Sequence, residues 1–238
     1  MPKLTGTGPD FSNLQRKECG IGSYRLTFRL PGNPYMQNRP EENLPTQVNL
    51  RSDLFDSGCT HTFNRTHITI GFGWWAYKGF ILQGNKGQLC DLCLHIDVNK
   101  VEGDATLQKG DLISLETYLK DDLDKYYEAE GGVNWKTRQR SQSSNIIRQG
   151  ETPAQFLALL PERYEKDRIN GIDWLSYHFG SEGGGMFRRS DYWAYPLDAN
   201  YYLTVRFKLT FEAGDRESRL QRMLQDARRI MSMVELHS

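Results

Sequence analysis

No run of about 18 apolar residues occurs anywhere in this 238-residue chain, so no segment reads as a bilayer-crossing helix. An excess of either charge is also missing. Thirty Lys and Arg balance thirty Asp and Glu, which removes the long-range field that would draw the whole chain to nucleic acid or to an anionic membrane. Cysteine is sparse. Cys19, Cys59, Cys90 and Cys93 allow two disulfides in three connectivities, or four thiols in a reducing compartment, and the reading leans to at least one disulfide. No basic-then-apolar leader opens the chain, so the expectation is either a cytoplasmic protein or a mature form whose leader has been removed.

Motifs for catalysis are equally thin. Cys90 and Cys93 have C-x-x-C spacing, but no second ligand pair follows, and residues three apart in a strand point to opposite faces. Gly71-Phe72-Gly73-Trp74-Trp75-Ala76 matches a dinucleotide fingerprint formally, yet bulky tryptophans stand where a pyrophosphate needs small residues at a helix start. Gly180-Ser181-Glu182-Gly183 falls one residue short of a nucleophile elbow. His95 and Asp97 share a strand face and could orient a general base, the one arrangement that points to a hydrolase. The survey therefore assigns no catalytic residue, no metal ligand and no cofactor.

What is present is periodicity and aromatic side chains, at 12% of the chain. Alternation predicts strands over Tyr24 to Leu30, Thr46 to Arg51, His67 to Trp75, Leu89 to Val101, Asp173 to Phe179 and Tyr201 to Phe211, with Tyr77 to Gln83 pairing with the third. Helical spacing predicts one amphipathic helix from Asp111 to Glu128, ended by Gly131-Gly132, and a second one running from Leu220 through Val234. Thr152-Pro153 reads as the start of a further helix carrying Phe156 to Leu160. Strands and helices come in runs, so the fold class is α+β: antiparallel sheets with packed amphipathic helices, in one unit or two lobes. The expected division is a flexible tail over 1–19, an N-terminal lobe over 20–133, a loop or linker over 134–150, and a C-terminal lobe over 151–238.

Two clusters mix the residue types that dominate protein interfaces. Trp74, Trp75 and Tyr77 lie too close together for one strand face to bury all three. Arg188, Arg189, Asp191, Tyr192 and Trp193 are read as a turn after a glycine hinge. Arg138 and Arg140 belong to a basic stretch with no acid in it, suited to steering a partner. These ten residues are the expected partner-binding set. The arginines of the last helix, offset by acids on the same segment, are read as solvated surface.

Cys19-Gly20-Ile21-Gly22-Ser23-Tyr24, leading into a strand that ends at Pro31, resembles the opening of immunity proteins that protect bacteria from type VI secretion lipase effectors. Ser23 stands where that family usually carries Arg. Trp193-Ala194-Tyr195-Pro196-Leu197, the strand Tyr201 to Phe211 and a helix closing on Ile230 to Val234 are similar to its final strand–helix unit. The match covers roughly a third of the chain. The resemblance implies a periplasmic, non-enzymatic inhibitor that binds a toxic phospholipase and blocks its active site or its access to membrane. A periplasmic lipid- or glycan-binding module, with Trp74 and Trp75 lining a pocket, is the alternative, and a hydrolase the third reading.

Overall fold

The structure is a computed structural model that describes residues 5–34, 43–51, 55, 60–62, 65–80, 87–143, 157–183, 186–211 and 216–238. Two sheets and three helices make up these residues. The strands are β1 (Asp10–Ile21), β2 (Tyr24–Gly32), β3 (Gln47–Val48), β4 (Thr60–Thr62), β5 (Arg65–Lys78), β6 (Gln88–Lys100), β7 (Ala158–Leu159), β8 (Glu165–Ile169), β9 (Ile172–Gly183), β10 (Met186–Pro196), β11 (Tyr201–Phe211) and β12 (Val234–His237). The helices are α1 (Leu112–Tyr127), α2 (Val133–Ser143) and α3 (Arg216–Met231). The small sheet runs β12-β2-β1-β3; the large one runs β4-β5-β6-β11-β10-β9-β7, with β8 also on β9. Apart from the short parallel pair β1–β3, every pairing is antiparallel, and the class is α+β as expected.

Alternation explains the layering. Tyr201, Leu203, Val205, Phe207, Leu209 and Phe211 of β11, with Leu92, Leu94, Ile96 and Val98 of β6, point to one face of the large sheet and are at most 2% exposed. Tyr24, Leu26 and Phe28 of the small sheet meet that face, together with Met223, Ala227, Ile230 and Met231 of α3. The opposite face of the large sheet carries a second cluster, in which Leu115, Tyr118, Leu119 and Leu123 of α1 cover Leu175, Tyr177, Ala194 and Tyr202. Asp111 caps α1, its carboxylate accepting from the Ile113 N–H at 3.0 Å. The helix stops at Glu128, a turn before Gly131-Gly132.

Several expectations are corrected. Residues 10–19 of the supposed tail belong to β1, pairing with β2 through a two-residue turn at Gly22 (φ +57°). Most of β1 is solvent-exposed; Cys19 and Ile21 at its end enter the core and Phe11 packs partly against it, which is why alternation is invisible along its middle. The expected linker holds α2, a helix without an apolar stripe. No lobe boundary falls there: β6, before it, pairs along eleven residues with β11, after it. Tyr77 continues β5 toward Lys78 and pairs with Cys90 of β6. Ala158 and Leu159 form β7, not a helix, and residues 152–156 lie outside the described residues. Val234 opens β12, which pairs with β2, since the helix ends at Met231.

Candidate functional site

Two chemically distinct features meet at β5. The first is a cleft of about 720 Å³ between the edge of β5 and the β1–β2 hairpin, bordered by Gln15 and Lys17 on β1, Phe28 and Leu30 on β2, and Phe72 and Trp74 on β5. Consecutive residues from Ile70 to Trp75 line it, so the cleft runs along the strand edge and meets both of its faces. Small residues shape this strand. A side chain at Gly71 would stand 2.9 Å from Ile96 and 3.0 Å from Phe28, and one at Gly73 would stand 2.4 Å from the Trp75 ring. Asn33 donates to the Trp74 carbonyl at 2.5 Å, and the Trp75 indole donates to the Pro31 carbonyl at 3.0 Å, which ties the two walls together.

The second feature is a polar row on the outer face of β6. Strand pairing sets Trp74, Cys93 and Lys208 in one line across β5, β6 and β11, Phe72, His95 and Arg206 in the next, and Thr69, Asp97 and Thr204 in a third. The Cys93 Sγ lies 3.3 Å from His95 Nε2, and the Phe72 ring packs edge-on against the imidazole, with centroids 5.1 Å apart. Burial, then the Arg206 guanidinium, pull the His95 pKa down to about 4 against the opposing effect of Asp97, so the ring is neutral at pH 7. Asp97 itself is buried and accepts from the Thr69 hydroxyl at 2.7 Å. His95 and Asp97 thus share a face as expected, but the partner at hydrogen-bond distance from the imidazole is the Cys93 thiol, two residues away on the same face.

The expected partner-binding residues scatter. Of the first cluster, Trp75 and Tyr77 are 2% and 0% exposed, which corrects their assignment as exposed contact residues; Trp75 still borders the cleft and Tyr77 does not, whereas Trp74 on the opposite strand face is half-buried at the cleft. Tyr77 donates to Asp226 at 2.8 Å, and Arg222 bonds the same oxygen at 3.0 Å; burial and the Asp226 charge hold the phenol well above its ordinary pKa. The second cluster is a strand, β10, not a turn. Its Trp193 is buried and donates to Asp167 at 2.8 Å, and Asp191 is 8% exposed, held by Arg189 at 2.8 to 3.1 Å. Tyr192 stacks on Tyr177 at 4.9 Å beneath α1. Arg188 is exposed. Arg138 is exposed and bonds Glu128 at 2.7 Å, so its charge is matched within the chain; the side chain of Arg140 lies outside the described residues.

The α3 arginines do more than meet solvent. Arg228 pairs with Asp167, Arg229 lies 3.9 Å over the Phe11 ring, and Arg219 is buried. Burial raises the Asp167 pKa, but the bonds from Arg228 and Trp193 outweigh it and the net shift is downward. Among the described residues no disulfide joins two cysteines; Cys19 is buried, and burial pushes its pKa up to about 11. Cys59 lies outside the described residues. No group of three or more His, Cys, Asp or Glu placed to hold a metal ion occurs among the described residues. No helix among them is long and apolar enough to cross a membrane. Comparison with protein-family models, curated proteins and solved structures finds no match.

Proposed function

We propose that this chain works by binding and neutralising another protein, a phospholipase effector of a type VI secretion system, without catalysing a reaction itself. One observation supports the binding reading above the others. On the outer face of the large sheet, the β9–β10 half is roofed by α1, while the β5–β6–β11 half presents Trp74, Phe72, His95 and Arg206 half-buried and Lys208 exposed, beside an open cleft. Aromatic and arginine side chains held rigid on a sheet and bordered by polar groups are what interface hot spots are made of. The phospholipase, the block of its active site or membrane access, and a periplasmic location rest on the resemblance of the terminal segments.

The test is titration of a purified phospholipase effector encoded beside this chain. A stoichiometric complex with loss of phosphatidylglycerol vesicle hydrolysis is expected, and Trp74→Ala should weaken the complex by about 2 kcal/mol, the scale of a hot-spot residue. Full lipase activity at excess of this chain would sink the reading. The cleft volume, within the rough 300–1,000 Å³ span of ligand sites, keeps a lipid- or glycan-binding module as the second reading. Saturable quenching of tryptophan fluorescence by short-chain phospholipid or muramyl glycan, lost in Trp74→Ala, would favour that module.

A further inference from the structure

The cleft has a property that its volume does not convey: one wall is a sheet edge with open backbone groups. Among the described residues, β4 pairs with β5 only from Arg65 to His67, and Thr7 bridges Lys78 at the other end. Between these points no described strand pairs with the outer edge of β5. Which groups point outward follows from the bonds that exist. The Trp74 carbonyl faces away from β6, because the Asn33 side chain donates to it. Lys78 also faces out, exchanging bonds of 2.9 and 3.2 Å with Thr7. Antiparallel strands send N–H and C=O of one residue to the same side and alternate along the chain, so Phe72 faces out as well. The Phe72 N–H and C=O and the Trp74 N–H therefore point toward the cleft, where no described strand pairs with them.

Proline accounts for the end of the pairing with Thr7. In the antiparallel register begun by Thr7 and Lys78, the residue opposite Ala76 is Pro9, which has no N–H to continue the ladder. The chain leaves the edge there and becomes β1. Asn33 supplies one amide donor where a neighbouring strand would supply a backbone N–H. Among the described residues, the edge thus carries one rung from Thr7, one side-chain substitute from Asn33, and no strand partner at Phe72.

We propose that the edge of β5 at Phe72 and Trp74 is a strand-addition site that takes a short extended segment of a partner polypeptide. Polypeptide is the chemistry that fits, because outward-facing residues of a strand repeat about every 6.8 Å and match the spacing of another backbone. Charge gives no selection here: Lys17 and Glu18 are the charged residues lining the cleft, of opposite sign. Selection comes from side chains on alternate positions. One set of guest residues meets Phe28, Leu30, Ile70 and Trp75 and should be apolar; the other set meets the Phe72 and Trp74 rings on the outer face. Proline is excluded at the position bonded to Phe72, where the guest must donate.

This deepens the binding reading and shares its premise that the ligand is a polypeptide, but its failure shows differently. Amide hydrogen exchange on the unliganded full chain comes first. Phe72 and Trp74 are expected to exchange fast and Gly73 and Trp75, bonded to β6, slowly; protection at Phe72 and Trp74 would overturn the proposal. The second measurement selects binders from a random heptapeptide library, synthesises the best one, and methylates its backbone nitrogens one at a time. Strand addition predicts protection of Phe72 on binding, and a loss of about tenfold or more in affinity only at the nitrogen that donates to the Phe72 carbonyl, since removing that donor strands the carbonyl. Failure to select any peptide that protects Phe72, or equal tolerance of methylation at every nitrogen, overturns it. Protection that grows with protein concentration alongside a doubled mass in sedimentation overturns it in favour of a second copy on the same edge. A lipase complex that leaves Phe72 exchange unchanged removes the strand-addition site while leaving the inhibitor intact.

Discussion

The two halves of the outer face of the large sheet are built from the same alternation and end in opposite states. On β9 and β10 the outward residues are Leu175, Tyr177, Phe179, Tyr192 and Ala194, and α1 lays Leu115, Tyr118, Leu119 and Leu123 across them. On β5 and β6 the outward positions hold Thr69, Phe72, Trp74, Cys93, His95 and Asp97, facing Arg206 and Lys208 of β11. An apolar row must be roofed, because leaving it wet forfeits roughly 25 cal/mol per Å² of apolar area. A row of histidine, carboxylate and guanidinium groups cannot be roofed by an apolar helix without stranding those groups, and no described helix lies across it. The difference teaches where to look for function: the half that no described helix roofs is the one where Phe72, Trp74 and Lys208 reach the surface.

Substitutions can break or sharpen that contrast. The largest effect belongs to the roofed half: Leu115→Ala, at a fully buried position, should cost about 2–5 kcal/mol of unfolding free energy by urea denaturation. A value under about 1 kcal/mol would mean the roof is not packed as described. In the open half, Asp97→Ala removes the acceptor of the Thr69 hydroxyl and should cost about 1–3 kcal/mol, less than the core change.

Acid should find His95 next. Its folded-state pKa of about 4 lies below the ordinary 6.5, so between these values the unfolded chain binds more protons than the folded one. Stability is therefore whole above pH 6.5 and drains away as the pH falls toward 4. With the imidazole only half-buried, solvent screening reduces the loss to the order of 1–2 kcal/mol. Denaturation curves of His95→Gln at pH 7 and pH 4.5 should show a smaller difference than the native chain; an equal difference would assign the acid sensitivity to other groups. The smallest effect is Lys208→Ala, an exposed position in the open row, which should move stability by no more than about 0.5 kcal/mol. If Lys208 proves as costly as Asp97, the open half is structural after all.

Legibility followed the strength of local patterning. β2, β5, β6, β9 and β11 and both amphipathic helices appear where alternation or helical spacing placed them, because each sends residues at its own period into a core. β1 was unreadable because most of it meets water on both faces, and β10 because Arg188, Arg189, Ser190 and Asp191 look like a turn until Asp191 finds Arg189. The β8–β9 hairpin did carry a signal, Asn170-Gly171, whose positive φ values of 49° and 81° suit a two-residue turn. β12 was merged into α3 because Val234 follows Ile230 and Met231 at helical spacing, although its neighbours Glu235 and His237 alternate with Leu236 in strand fashion. Of the candidate contacts, Trp74 is half-buried at the cleft, Trp75 lines it from a buried position and Tyr77 does not line it: one strand must send Trp74 to one face and the other two to the opposite one, and sequence does not say which face is buried.

By itself, the sequence determined the α+β class, the principal strands and helices, and the meeting of His95 and Asp97 on one face, since these follow from periods of 2 and 3.6 that act over a few residues. Tertiary structure alone decided which aromatics are spent in the core, that Cys93 rather than a serine touches His95, that β6 and β11 join the two halves of the chain, and that the edge of β5 faces a cleft. Those outcomes depend on contacts between residues as far apart as Tyr77 and Asp226, and no local period encodes them.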